Sequence, residues 1–470
     1  MLQLGLFVLI SSSLCFARAR PIDDKVSNLP GVDFELRFEH YSGYLNIDEE
    51  TFYHYWFLES QSNVQSDPLV LFLNGGPGCS SLAALFTECG PFRIKDHGNT
   101  VVENPYAWNK IANIVFLESP AGVGFSYSIA AANLSDQQSV ILHFKALQSF
   151  YEKFPEFQNR SLYLVGQSYA AVYVSTLAEY IQNNTNQLPG KLQGIAIGNG
   201  VVSWPLLTSS RVYYNYYHDL LSEKQWREVI DNCCQAEAEW KCDLYKWTLK
   251  NDTLCYELVQ NAINVGSQGR DPYNINFECY RPNAKYSDDE ECGVPFGDIT
   301  THFLDREQVR KAAHIDVVKF QNYSFEACSV DVKAKYKTQN NDLAGVMKNL
   351  LQKGSLRILI FNGDYDSVCN FLGTQWFVDG LGAQMIGNRT PIYYSQISQQ
   401  NVGYQQNYEN LDYLIIRGAG HYVPADRPRE SLQIFSNFLN GERNYSTPCN
   451  ADTTPAPLIH GKNIFHSIFQ

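Results

Sequence analysis

Six short stretches of the chain are apolar at nearly every position: residues 68–73 (PLVLFL), 113–118 (NIVFLE), 161–166 (SLYLVG), 192–198 (LQGIAIG), 356–363 (LRILIFNG) and 411–418 (LDYLIIRG). A strand with one wet face alternates polar and apolar residues. Continuous runs instead describe strands covered on both faces, as in a largely parallel sheet between helices. Helical spacing fills intervening stretches such as 139–154 (SVILHFKALQSFYEKF) and 171–184 (AVYVSTLAEYIQNN). The strand–helix alternation predicts a doubly wound α/β domain.

The pattern lapses between 204 and 298. That stretch is rich in Tyr, Trp, Asn and Cys, and it reads as an insertion of helices and disulfide-stapled loops. The expected organisation is therefore a leader (1–17), a first core segment (18–203), a cap insertion (204–298), a second core segment (299–446) and a tail (447–470). The tail begins polar and Pro-rich and is expected to be loosely held. No internal repeat is present.

Composition narrows the partners. With 44% hydrophobic and 18% charged residues the 470-residue chain has ample core, and a formal charge of −13 argues against nucleic acid or an anionic membrane as the main partner. The apolar run Leu2–Ile10, followed by Cys15-Phe16-Ala17, reads as a signal peptide cleaved after Ala17. It falls short of the ~20 residues that a membrane span needs. No later run is longer, so no membrane span is expected.

Secretory entry makes an oxidising compartment the expected one, secreted or lysosomal, and most cysteines should then be paired. Of the twelve cysteines, eleven remain once Cys15 leaves, so at least one thiol stays free. Adjacent Cys233 and Cys234 cannot comfortably bond each other. No C-x-x-C pair is present, which argues against zinc, and no metal or cofactor is expected. Seven N-x-S/T sequons, at Asn133, Asn159, Asn183, Asn251, Asn322, Asn388 and Asn444, fit the same route.

The candidate chemistry sits where strands end. Ser168 follows one strand and opens a helix, with Gly166 two residues earlier. It is either a helix cap or the serine of a nucleophile elbow, although Ala170 stands where G-x-S-x-G has its last glycine. Asn74-Gly75-Gly76-Pro77-Gly78 follows another strand, and its paired glycines allow backbone N–H groups to approach a ligand. The loop is a structural tight turn or half of an oxyanion hole, completed by the N–H of Tyr169. Asp364 and Asp366 follow a third strand, and His421 follows a fourth in a Gly-flanked loop. The order Ser, Asp, His suits a triad in which Ser168 attacks, His421 shuttles the proton and an aspartate orients the imidazole.

Taken together, LNGGPGCSSL (73–82), ECGPF (88–92), ESPAGVGFSYS (118–128), GQSYAA (166–171), NGDYDSVCN (362–370) and GAGHYVPADRP (418–428) resemble the serine carboxypeptidase family, its cathepsin A branch most closely. The resemblance runs from about residue 25 to residue 440. It implies an α/β-hydrolase fold and a serine-type carboxypeptidase, a hydrolase acting on peptides or proteins with a free C-terminus. It implies Ser168, Asp366 and His421 as the triad, and Gly76 and Tyr169 as oxyanion-hole donors. Asn74, Gly75, Glu88 and Gln167 would meet the terminal carboxylate, and Tyr422 would line the leaving-group pocket. It further implies the pairs Cys79–Cys328, Cys233–Cys255, Cys234–Cys242 and Cys279–Cys292, and a free Cys369. Cys89 and Cys449 are left without assigned partners, and homodimerisation is left open.

Three positions depart from the family pattern. Gln167 stands where the family has a glutamate that shares a proton with the residue matched by Glu88. A neutral amide in that place leaves Glu88 without the partner that held its proton, so Glu88 is expected to ionise lower and repel a substrate carboxylate. Ala171 replaces a glycine, and Tyr422 replaces a methionine. The alternatives kept are an acyltransferase, esterase or deamidase with the same triad, and a non-catalytic protective glycoprotein.

Overall fold

The structure, a computed structural model, describes residues 20–130, 133–234, 242–277, 298–394 and 399–459. The leader, Cys279, Cys292 and the end of the tail lie outside the described residues.

Thirteen strands are present among the described residues: β1 (His40–Asn46), β2 (Thr51–Leu58), β3 (Leu69–Leu73), β4 (Phe92–Lys95), β5 (Thr100–Glu103), β6 (Asn113–Leu117), β7 (Tyr127–Ser128), β8 (Ser161–Gln167), β9 (Lys191–Gly198), β10 (Arg357–Gly363), β11 (Met385–Tyr394), β12 (Gln400–Tyr408) and β13 (Leu411–Ile416). Eleven make one sheet in the order β1-β2-β6-β3-β8-β9-β10-β13-β12-β11, with β7 added on β2, and β4–β5 form a separate hairpin. The strands from β6 to β13 in that order are the six apolar runs, and they pair in parallel with one another. Antiparallel strands extend the sheet at both ends.

Alternate side chains of each central strand feed two different cores. Leu69, Leu71, Leu164, Ile195, Ile197, Ile358 and Ile360 pack with Leu147 and Phe150 of α2 (Asp136–Lys153) and with Val172 and Leu177 of α3 (Ala170–Asn183). Val70, Phe72, Val165, Ala196, Leu359 and Phe361 pack on the other face with Leu82 and Leu85 of α1 (Ser81–Thr87) and with the helix Pro428–Leu439. Both faces are covered, so these strands carry no polar stripe. The fold is that of an α/β hydrolase.

From Trp204 to Ser267 the described chain is helical: α4 (Trp204–Tyr217), α5 (Glu223–Cys233), α6 (Tyr245–Thr248), α7 (Leu254–Asn264) and a short 3-10 turn. Trp226, Val229 and Val259 form a small core of their own, stapled by Cys233–Cys255 and Cys234–Cys242. The tail departs from expectation. Through Ile459 it docks on the N-terminal segment, with Glu35 N donating to Pro457 O and Ile459 N to Asp33 O, because these backbone groups find partners there that a loose tail would leave to water. All seven sequon asparagines are exposed.

One buried polar network ties the edge of the sheet to α1. Glu118, just past β6, accepts from Ser80 Oγ (2.5 Å) and Phe125 N (3.0 Å) and bonds His54 Nδ1 at 2.8 Å. His54 Nε2 bonds Ser42 Oγ at 3.0 Å, and Ser42 donates to Ala313 O at 2.7 Å. Serine, histidine and glutamate line up as in a triad, but all three are fully buried and the serine proton is committed to a carbonyl. Removing the carboxylate would strand His54, Ser80 and the Phe125 N–H without solvent. Glu118→Ala is therefore expected to lower the unfolding free energy by about 3–5 kcal/mol in urea titrations; a loss under ~1 kcal/mol would show that the network carries little.

Candidate active site

Strand β8 delivers Ser168 into a forced turn. Its φ of 59° lies in the left-handed region, which a non-glycine residue adopts only when its surroundings hold it there. They do so on both sides: Ser168 N donates to Gly198 O at 3.1 Å, and its carbonyl accepts from Ala171 N (3.1 Å) and Val201 N (2.9 Å). Gly166 is needed, since a Cβ there would stand 2.6 Å from Ala170 O. The extra methyl of Ala171 is accommodated because Gly200 faces it; a Cβ on Gly200 would come within 2.8 Å of that methyl.

The acid and the imidazole arrive from β10 and β13. His421 Nδ1 and Asp366 Oδ2 are 2.6 Å apart, and both residues are buried. Asp366 also accepts from Val368 N (2.8 Å), Cys369 N (3.2 Å) and Asn199 Nδ2 (2.9 Å). Asn199, in the loop after β9, is held in turn by donating its N–H to Phe361 O and accepting from Gly363 N. Asp364 does something else: it accepts from Gly418 N at 2.7 Å and braces the histidine loop. The Cys369 thiol is buried beside the Asp366–His421 pair. Ligand atoms of Cys369, Asp366 and His421 lie within 4.8 Å of one another, so thiol, imidazole and carboxylate form one cluster. The same three groups could hold a metal ion, but only in competition with the Asp366–His421 bond.

The loop after β3 packs directly on the elbow. A Cβ on Gly75 would lie 2.4 Å from Tyr169 N, so only glycine allows this approach. Among the described residues, the N–H groups of Gly76 and Tyr169 donate to no protein acceptor. Asn74 spends its amide on the loop, accepting from Gly75 N (2.9 Å) and donating to Ser80 O (3.0 Å), which leaves one Nδ2 hydrogen for a ligand. Cys79 is bonded to Cys328 at the loop's far end.

Gln167 and Glu88 meet beside Ser168. Gln167 Nε2 donates to Glu88 Oε2 (2.9 Å) and to His421 O (3.0 Å), while Gln167 Oε1 and Glu88 Oε1 are buried without partners. Burial pushes the Glu88 carboxyl up to about 7, against the smaller lowering effect of the Gln167 hydrogen bond and the His421 charge. The expectation of an easily ionised Glu88 is thus corrected: desolvation holds the proton that a second carboxyl would otherwise have held.

Residues Asp271–Phe277 cross His421 and the 364–367 turn from the cap side. His421 N donates to Tyr273 O (2.7 Å), and Pro272 O accepts from Ser367 N (3.0 Å) and Oγ (2.8 Å). The Tyr273 ring lies 4.9 Å from the His421 ring and 6.0 Å from half-buried Tyr422. Cys89 and Cys369 are buried free thiols, and Cys449 is free and half-buried. Neither Asn199 nor Tyr273 was singled out from sequence. Asn199 had the same signal as the triad, a polar residue in a Gly-flanked loop just past an apolar run.

A serine on a nucleophile elbow, with an aspartate-bound histidine at neighbouring strand ends, defines an α/β hydrolase of the serine type. The model of the serine carboxypeptidase family matches residues 30–441, and the chain belongs to that family. It is 36% identical to a serine carboxypeptidase of Caenorhabditis elegans, over 95% of this chain and 99% of that one. It is also 36% identical to the lysosomal protective protein of Mus musculus, over 93% and 98%. The prohormone-processing carboxypeptidase Kex1 of Saccharomyces cerevisiae superposes with a TM-score of 0.73 at 23% identity, covering 90% of this chain and 97% of that one, a likeness of fold.

Asn199→Ala removes one of the hydrogen bonds that fix Asp366. A fall of about tenfold in kcat with KM unchanged is expected in steady-state assays, since a misoriented acid weakens a step that only the transition state feels.

Proposed function

We propose that the protein is a secretory-pathway serine carboxypeptidase, secreted or lysosomal, that cleaves C-terminal peptide bonds through an acyl-enzyme on Ser168. The observation that carries this reading is the Asp366–His421 hydrogen bond beside a serine held at positive φ. Ser168 Oγ attacks the scissile carbonyl carbon as His421 Nε2 takes its proton. The oxyanion forms against the N–H groups of Gly76 and Tyr169. Collapse expels the C-terminal amino acid, whose nitrogen receives the proton from His421, and water then releases the acyl group by the same steps. Asp366 holds the imidazole and stabilises its charged form. The leader, the exposed sequons and the disulfides support the secretory location.

Glu88 and Gln167 set the terms for the substrate's terminal carboxylate. Below pH ~7 Glu88 is largely protonated and can donate to that carboxylate; above it, Glu88 is an anion that repels it. Gln167 supplies no second proton at any pH. A specific observation favours a second reading in which the same triad acts on peptide amides: Gln167 Oε1 is a buried acceptor without a donor, which an amide N–H can supply.

Release of C-terminal amino acids from blocked dipeptides, measured from pH 4 to 8 beside Ser168→Ala, tests the main reading. The expected result is serine-dependent release whose KM rises as the pH passes 7. Absence of release, with Ser168 still labelled by a fluorophosphonate, would move the assignment to the second reading.

Gln167→Glu restores a second carboxyl. It is expected to improve kcat/KM for a free-acid peptide over its amide by about tenfold at pH 5, the worth of one charge-assisted hydrogen bond. Equal discrimination by the variant and the wild type would remove Gln167 from substrate selection.

A further inference from the structure

Behind the oxyanion hole lies a polar cluster that the reaction above does not use. Tyr169, the residue whose backbone N–H faces the developing oxyanion, has a fully buried ring, and its hydroxyl donates to Asp136 Oδ1 at 2.7 Å. Asp136 opens α2 and is itself buried. It accepts four further hydrogen bonds, from Tyr336 OH (3.0 Å), Gln339 N (2.6 Å), Asn340 N (2.9 Å) and Asn340 Nδ2 (3.1 Å). The Tyr169 ring also packs edge-on against Tyr173 and Tyr336, with centroids 5.5 and 5.9 Å away. The main chain at Tyr169 is therefore fixed from two directions. The Ser168 turn holds it on one side, and a carboxylate immobilised by five donors holds the far end of its side chain.

We propose that Asp136 is a positioning residue for catalysis, setting the direction of the Tyr169 N–H by pinning the Tyr169 phenol. This rests on the serine carboxypeptidase reading and extends it to a residue about thirty positions before the nucleophile. A preorganised donor helps only if it is already aimed where charge develops, so its value depends on what stops the residue from rotating. Tyr169 is the first residue past the elbow serine and precedes α3, and no side-chain cap secures that end of the helix. The phenol–carboxylate bond supplies the missing restraint. The cluster also fixes the 336–340 segment, and that structural role must be separated from the catalytic one.

Tyr169→Phe and Tyr336→Phe make the separation. Each deletes one phenol donor to the same Asp136 oxygen, but only Tyr169 carries the oxyanion N–H. Tyr169→Phe is expected to lower kcat about tenfold or more with KM near wild type, and to weaken a peptide boronate, which mimics the tetrahedral intermediate, by the same factor. Tyr336→Phe is expected to lower Tm without changing kcat or boronate affinity. Asp136→Asn, whose amide oxygen can keep the Gln339 and Asn340 donors while its Nδ2–H donates to the Tyr169 hydroxyl, should recover most of the activity that Asp136→Ala loses. Equal losses of kcat in the two Phe variants, or an unchanged kcat in Tyr169→Phe, would overturn the proposal. A wild type without Ser168-dependent turnover would instead overturn the reading beneath it.

Discussion

The site depends on a backbone that cannot relax. Ser168 occupies a left-handed conformation at the end of β8, and the conformation persists because its neighbours leave it no alternative. Gly198 O takes its N–H, Val201 and Ala171 take its carbonyl, and Gly75 packs against the next amide at a distance no side chain would permit. These contacts come from the ends of β9 and β3 and from the first turn of α3, so the turn exists only once β3, β8 and β9 are in register. Parallel pairing of those strands is what brings separate loops to one edge, where side chains distant in sequence converge.

Asp366 is treated differently from Ser168. Asp366 is wholly buried, a costly place for a carboxylate, and it is surrounded by donors: two backbone amides, the Asn199 amide and the imidazole. Donors in that number replace the water the carboxylate has lost. Glu88 has one side-chain donor and one orphaned oxygen, and burial prevails. Two buried carboxyl groups in one site thus take different roles because of the number of donors each is given.

The parallel centre of the sheet was legible because burial on both faces leaves a continuous apolar run, and all six runs became strands. The flanking strands were not. Strand β2 reads TFYHYWFL, and its His54 looks like a surface residue until Glu118 and Ser42 are brought to it from elsewhere. Strand β11 is exposed along its first six residues, and after Met385 and Ile386 it carries no apolar run there. The triad candidates were legible because glycines mark their loops. Asn199, Tyr273 and Asp136 were not, because what matters in each is a partner far away in the chain: Asp366, His421 and Tyr169. A lone polar residue gives no hint of which distant group it will meet.

The glutamine beside the nucleophile shows why the partner matters more than the residue. Considered alone, its neutral amide frees Glu88 to ionise. Placed in the fold, Gln167 is locked by donating to both Glu88 and the His421 carbonyl, and it ties the carboxyl to the histidine loop. Both of its amide hydrogens are then spent, so neither can turn toward a substrate. What the pair can offer a ligand is decided by the proton on Glu88, and burial keeps that proton to about pH 7. Gln167 and Glu88 form a pair with one carboxyl, and burial keeps its proton there. The pair holds a single titratable group, so its response to pH should follow one ionisation and not a coupled pair.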